Sequence, residues 1–307
     1  MLLIILGHNA ILMEHNGDFT YKEFLYTFHV WGFFLLPFLY PISKPSFAQL
    51  RKYAKRLILP YCILFLFFLL VFSLLTKTIP NLKETSLAFI SASQLLLKQT
   101  IGFRLLWFLP TMFIILIARD AYYYATKPIQ IAVITICIVS TLYSFIDENT
   151  YWKIMYNMPL GLIYLPRLLL LGILARRIIY LINNHNYDFY FFLTTSLLAI
   201  ITTLSFFTFV DSIPLPALLN RQILLPIVFF FFLYYLLKNI SISICTKIGL
   251  FSFSIYIIHQ PVYNLLFHFL QTHTLHWFFL GILVFFLTTI ISYLLAWFWN
   301  MAANKLL

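Results

Sequence analysis

Apolar residues fill this chain in ten long runs, separated by short polar connections, at approximately residues 1–13, 24–42, 57–76, 105–124, 128–146, 159–179, 189–210, 222–237, 249–270 and 277–300. A helix crossing a hydrocarbon core about 30 Å thick needs about 20 apolar residues, at a rise of about 1.5 Å each. The runs meet or approach that length, the first being visibly short. Inside lipid every backbone polar group must be satisfied within the spanning structure, and continuous runs of this length predict helices, whereas a barrel would need alternating segments of about ten residues. The expected fold is all-α: a polytopic membrane helical bundle of about ten transmembrane helices, a single integral-membrane domain over residues 1–307.

Composition agrees with that pattern. The chain is 63% hydrophobic and 20% aromatic, only 9% of residues are charged, and mean hydropathy is +0.94. Soluble globular domains do not reach such values. The formal charge of +11 could point to nucleic acid, but the basic residues sit between apolar runs and form no stripe on a soluble fold, so nucleic acid is set aside. Cys62, Cys137 and Cys245 lack metal or redox spacing, and an odd number argues against a disulfide framework. No Gly-rich phosphate loop, CxxC, HExxH or GxSxG pattern occurs.

The distribution of cations predicts orientation. With the N-terminus inside, twelve of the 20 Lys and Arg residues fall in inner connections, among them Arg119, Arg176 and the dense group from Lys44 to Arg56. Both termini are therefore expected in the cytoplasm. Residues 46–56 read as an interfacial helix before the third span. Arg51, Lys52, Lys55 and Arg56 there suit an anchor on anionic lipid, and equally a docking surface for a phosphate-bearing cytosolic ligand. Residues 81–102 read as an amphipathic helix on the outer face, too polar to span.

Candidate chemistry rests on the few polar groups inside the apolar runs. An ionisable side chain at bilayer depth costs roughly 2.5 kcal/mol or more on insertion scales, so it usually faces a protein interior or a water-filled cavity. His259 lies in the middle of such a run, His8 follows Gly7 near the outer end of the first, and His29 opens the second. The first run leads outward and the second returns from the same face, so the rings of His8 and His29 are expected to meet in one outward-opening cavity. Arg167 interrupts a further run, where it either satisfies a carbonyl or counter-charge or marks a substrate path. His268, His273 and His276 are too irregularly spaced for a metal site, and none is expected.

These residues carry a resemblance. Gly7-His8-Asn9, Phe28-His29-Val30-Trp31-Gly32, the basic stretch running into Leu57-Ile58-Leu59-Pro60-Tyr61, Leu106-Trp107-Phe108-Leu109-Pro110, and Ser254-Ile255-Tyr256-Ile257-Ile258-His259-Gln260-Pro261 together resemble the membrane-bound acyltransferase-3 family. The likeness runs in order along essentially the whole chain. It implies transfer of an acyl group, commonly acetyl, from acyl-CoA (acetyl-CoA) as donor substrate to a hydroxyl of a surface polysaccharide or lipid-linked sugar, in a bacterial inner membrane, with no permanently bound cofactor.

Carried over by position, the resemblance makes His8 the base or acyl carrier and gives His259 an orienting, hydrogen-bonding role. His29, Trp107, Arg167 and Tyr256 fall on the substrate side, although Trp107 also suits an aromatic-belt anchor and Tyr256 suits core packing. Arg51, Lys52, Lys55 and Arg56 would hold the CoA phosphates. The family's basic residue about ten positions before the histidine would fall upstream of Met1, so either the natural start lies upstream or this copy lacks that residue. Acceptor specificity is expected in the outer segments 81–102 and 149–158. The rival expectation is a glycan or lipid transporter or flippase; its two matched halves are not visible between residues 1–150 and 151–307.

Overall fold

The computed structural model describes residues 1–13, 20–77, 81–146, 160–185, 188–208, 223–238, 251–270 and 276–306. Among the described residues every regular element is helical. In chain order they are α1 (Leu2–Gly7), α2 (Ala10–Met13), α3 (Thr20–Leu35), α4 (Phe47–Tyr53), α5 (Leu59–Thr76), α6 (Leu82–Ser91), α7 (Gln94–Ile101), α8 (Phe108–Tyr124), α9 (Lys127–Ile146), α10 (Leu160–His185), α11 (Asp188–Thr208), α12 (Leu225–Lys238), α13 (Ser252–Leu270) and α14 (Trp277–Leu306). Each of the ten apolar runs contains a helix. Four stretches among the described residues are long and apolar enough to cross a membrane: Phe47–Thr76, Leu105–Tyr124, Asp188–Thr208 and Trp277–Phe298. Two shorter apolar helices lie at Lys127–Tyr143 and Leu225–Leu236. This is a helical integral membrane protein.

The chain forms two compact units, one of residues 1–32 and 186–307 and the other of residues 33–185. In the first, α13 and α14 pair and the short segments α1 and α2 pack on them. Ile5, Ile255 and Ala296 form one apolar layer, with Met1, Phe251 and Tyr293 around it. Tyr263, Leu280 and Val284 form another, with Ala10 and Ile11 against it. A third cluster joins Leu25 and Phe28 of α3 to Phe206 of α11 and Leu225 of α12, where the Phe28 and Phe229 rings stack at 4.4 Å.

In the second unit α10 packs along α8 and α9, and the turn at Leu36–Leu39 packs on α10. A Cβ on Gly172 of α10 would lie 2.3 to 2.6 Å from three ring atoms of Phe38, itself fully buried. The glycine is therefore what lets the turn approach the helix. Because overpacking of this kind costs about 1–3 kcal/mol, Gly172→Ala is expected to lower the thermal midpoint of the purified protein, followed as monodisperse material after heating. An unchanged midpoint would contradict the close approach.

Two local outcomes differ from the pattern-based expectation. Residues 81–102 form two short helices, α6 and α7, broken at Ala92, whose φ of 48° is left-handed, and at Ser93, whose backbone N–H donates to Ser91 Oγ at 3.2 Å. The serine hydroxyl offers the backbone an alternative to the helical bond, and this ends the first helix. Tyr61 of α5 holds α6 by donating to the Phe89 carbonyl at 2.7 Å. The basic stretch, by contrast, runs without interruption from α4 through a π-helical segment, Ala54–Ile58, into α5. Ser46 caps it, its hydroxyl accepting from the Gln49 N–H at 3.1 Å.

Candidate functional site

The first run breaks where its polar residues stand. His8 closes α1, with its backbone N–H on the Ile4 carbonyl at 3.1 Å, and α2 restarts at Ala10. Asn9, fully buried, causes the break. Its side-chain oxygen accepts from the Leu12 N–H at 3.3 Å, as an N-cap does, and its amide donates to the Gly281 carbonyl on α14 at 2.8 Å. The Ala10 N–H donates to the Tyr263 hydroxyl on α13 at 2.9 Å. Gly281 permits this approach, since a Cβ there would lie 2.5 Å from Leu12 side-chain atoms. Non-helical backbone at membrane depth is tolerated only where protein or a cavity satisfies it, and here α13 and α14 do so.

The break carries His8 to His259. Their ring centroids are 5.1 Å apart with planes tilted by 42°, and the Tyr256 ring lies 5.8 Å from that of His259. His8 is half-buried, whereas His259 and Tyr256 are buried. His259 Nδ1 faces the Ile255 carbonyl at 3.2 Å. A carbonyl only accepts, so a bond there puts the hydrogen on Nδ1 and, in the neutral ring, the lone pair on Nε2. Two imidazoles side by side, one oriented by backbone, can hold and pass a proton.

The expected meeting of His8 with His29 cannot be followed, because the His29 side chain lies outside the described residues, as do residues 149–158 and His273. Trp107 and Arg167 belong to the second unit and both are buried there. The Trp107 ring sits 5.7 Å from Phe34 and 6.4 Å from Phe108, so it is enclosed by aromatic neighbours and not set outward as a belt anchor.

A second arrangement lies along α4 and its π-helical continuation. Arg51, Lys52, Lys55 and Arg56 are exposed and, with Phe47 and Ala48, line a shallow, open hollow along one face of this segment. Tyr53 and Leu57 point the other way and are buried. The Tyr53 hydroxyl donates to Asp120 Oδ2 at 2.7 Å, and Arg119 donates through Nε to Asp120 Oδ1 at 2.8 Å. Arg119 also donates to the Pro37 carbonyl and, at 3.2 Å, to the Tyr53 hydroxyl. Arg176 donates to the Phe38 and Tyr40 carbonyls at 2.7 and 3.0 Å. Arg119 and Arg176, counted as connection cations in the orientation argument, thus lie within helices α8 and α10, and Arg119 is 3% exposed beside Asp120.

Sequence reasoning placed Asn9 beside His8 without giving it a role, and missed Tyr263 and the Arg119–Asp120–Tyr53 network. An asparagine directly after a histidine in an apolar run, and two adjacent opposite charges near the end of another, were the available signals.

A family model described as an acyltransferase domain matches residues 1–297. No curated protein and no solved structure matches the chain.

Proposed function

The chain belongs to the acyltransferase-3 family, and from that premise we propose that it moves an acyl group, acetyl foremost, from acyl-CoA to a hydroxyl of a cell-surface or lipid-linked glycan. The observation that carries the reading is the His8–His259 pair, 5.1 Å apart in a chain with very few ionisable groups in its apolar segments. In this reading His8 is the general base. It removes the proton of the acceptor hydroxyl as that oxygen attacks the thioester carbon, and it later protonates the departing CoA thiolate. His259, anchored through Nδ1 on the Ile255 carbonyl, orients the reacting groups, with Tyr256 beside it and His29 proposed on the substrate side.

Arg51, Lys52, Lys55 and Arg56 are proposed to bind the CoA phosphates. They present four cations on one exposed helix face, and charge-assisted bonds to phosphate are among the stronger hydrogen bonds. The cation-rich connections then face the cytosol of a bacterial inner membrane, with both termini inside. Replacing all four by Gln is expected to raise KM for acetyl-CoA by roughly 10–100-fold with little change in kcat, since uniform ground-state binding is what is lost. A lowered kcat at unchanged KM would argue against a phosphate site.

The break between α1 and α2 also suits a transporter, in which discontinuous helices line a substrate path. One assay separates the readings. Purified protein is given acetyl-CoA and the envelope glycan fraction of its source cells, and free CoA and base-labile acetate on glycan are followed. Coupled appearance of both supports acyl transfer; glycan movement across proteoliposomes without CoA release supports transport.

A further inference from the structure

By position along the helix, two hydroxyls on α14 fall in the interval between the two apolar layers of the first unit, the interval in which His8 and His259 also fall. On α13, His259 lies midway between Ile255 and Tyr263, which belong to the two apolar layers of the first unit. On α14 the same two layers are marked by Ala296 and Val284. Between them, one helical turn apart on one face, lie Thr288 and Ser292. At about 1.5 Å rise per residue, Ile255 to Tyr263 spans about 12 Å and Val284 to Ala296 about 18 Å, so the middle of each segment falls at His259 and between Thr288 and Ser292. His8 and Asn9 lie likewise between Ile5 of one layer and Ala10 of the other. The unit therefore holds a polar layer between two apolar ones.

Thr288 and Ser292 are both 0% exposed, and neither hydroxyl has a hydrogen-bond partner among the described residues. That is unusual for this chain. Hydroxyls on its helices commonly donate to the carbonyl four residues back, as Thr289 does to Phe285 at 2.8 Å and Thr202 to Leu198 at 2.8 Å. A buried hydroxyl without a partner is an unfavourable arrangement that a native structure keeps for a reason.

We propose that Thr288 and Ser292 donate hydrogen bonds to the carbonyl oxygen of the bound acyl group, forming the oxyanion-stabilising wall of the His8–His259 centre. This rests on the acyl-transfer reading and assigns a residue role within it. As the acceptor oxygen bonds to the thioester carbon, its proton passes to His8 and the carbonyl π pair moves onto the carbonyl oxygen, where the two hydroxyls meet the new negative charge. Collapse re-forms the C=O bond and breaks the C–S bond, and the CoA thiolate takes the proton back from His8. The products are an ester and free CoA.

The test uses Thr288→Val, which keeps the shape and removes the donor, Ser292→Ala, and the conservative Thr288→Ser. Each is purified as the full chain and assayed with acetyl-CoA and the envelope glycan fraction. Thr288→Val and Ser292→Ala are expected to lower kcat by about 10-fold or more with KM for acetyl-CoA within about twofold of wild type. Thr288→Ser is expected to retain most of the rate. The thermal midpoints of Thr288→Val and Ser292→Ala are expected to stay level or rise, because an unpartnered buried polar group has been removed. Opposite movement of rate and stability is what a purely structural role does not produce. Rates within about twofold of wild type in both variants, or rate losses matched by lower midpoints, overturn the assignment. A wild-type protein that never releases CoA overturns the acyl-transfer reading itself, so the two failures are told apart by the unmodified protein.

Discussion

Replacing His8 by Ala is expected to lower acyl transfer by about 10²–10⁴-fold, the range typical of a positioned general base. The protein should still fold. The backbone N–H of residue 8 keeps its bond to the Ile4 carbonyl whatever the side chain, and the ring is only half-buried, so little packing is lost. The break that positions it depends on Asn9, Gly281 and Tyr263, none of which is touched. The variant should therefore bind acetyl-CoA with unchanged affinity, measured by protection against thermal unfolding, while releasing almost no CoA. Turnover equal to wild type would remove His8 from the mechanism. Lost binding together with lost turnover would mean that the residue supports the fold and not the chemistry.

The second large effect concerns stability. Asp120→Ala is expected to destabilise the second unit by about 3–5 kcal/mol, because it leaves the Arg119 guanidinium uncompensated in a site where that residue is 3% exposed. Arg119 and Tyr53 both bond to Asp120, and Arg119 reaches the Pro37 carbonyl, so the carboxylate joins α8, the basic segment and the Leu36–Leu39 turn. Replacing the pair together, Arg119→Met with Asp120→Leu, is expected to cost less than the single change, since no buried charge is then stranded. Thermal unfolding in detergent, comparing the single and double variants, reads this directly. A double variant less stable than Asp120→Ala would contradict the view that the stranded charge is the dominant loss. Tyr53→Phe should be mild in stability and should act mainly through the presentation of Arg51, Lys52, Lys55 and Arg56.

The helical class was legible in the apolar runs, because lipid leaves long helices as the economical way to satisfy the backbone, and each run does hold a helix. The break in the first run was not. Hydropathy counts Asn9 as one polar residue among many apolar ones, whereas its effect comes from two specific bonds, to the Leu12 N–H and to a carbonyl on α14 far along the chain. The same holds for the partner of His8. Local topology pointed to His29, whose side chain lies outside the described residues, and gave no sign that the His259 ring of α13 lies beside His8. The Ala92 break likewise turns on a single Ser91 hydroxyl competing with helical bonds. Charge counting assigned Arg119 to a connection because cations favour water, and the adjacent Asp120, with the Pro37 carbonyl and the Tyr53 hydroxyl, makes its burial tolerable. Family motifs named both His8 and His259, yet the hydroxyls of Thr288 and Ser292 fall in a stretch that reads as plain apolar helix.

The central claim is that the His8–His259 pair is an acyl-transfer centre, and it is tested most directly by the stoichiometry of the reaction. Purified protein with [1-¹⁴C]acetyl-CoA and the envelope glycan fraction of its source cells should release free CoA and place base-labile radioactive acetate on the glycan in equal amounts, and His8→Ala should do neither. Labelled glycan formed equally well by His8→Ala, or the absence of any CoA release by the wild-type protein, would contradict it.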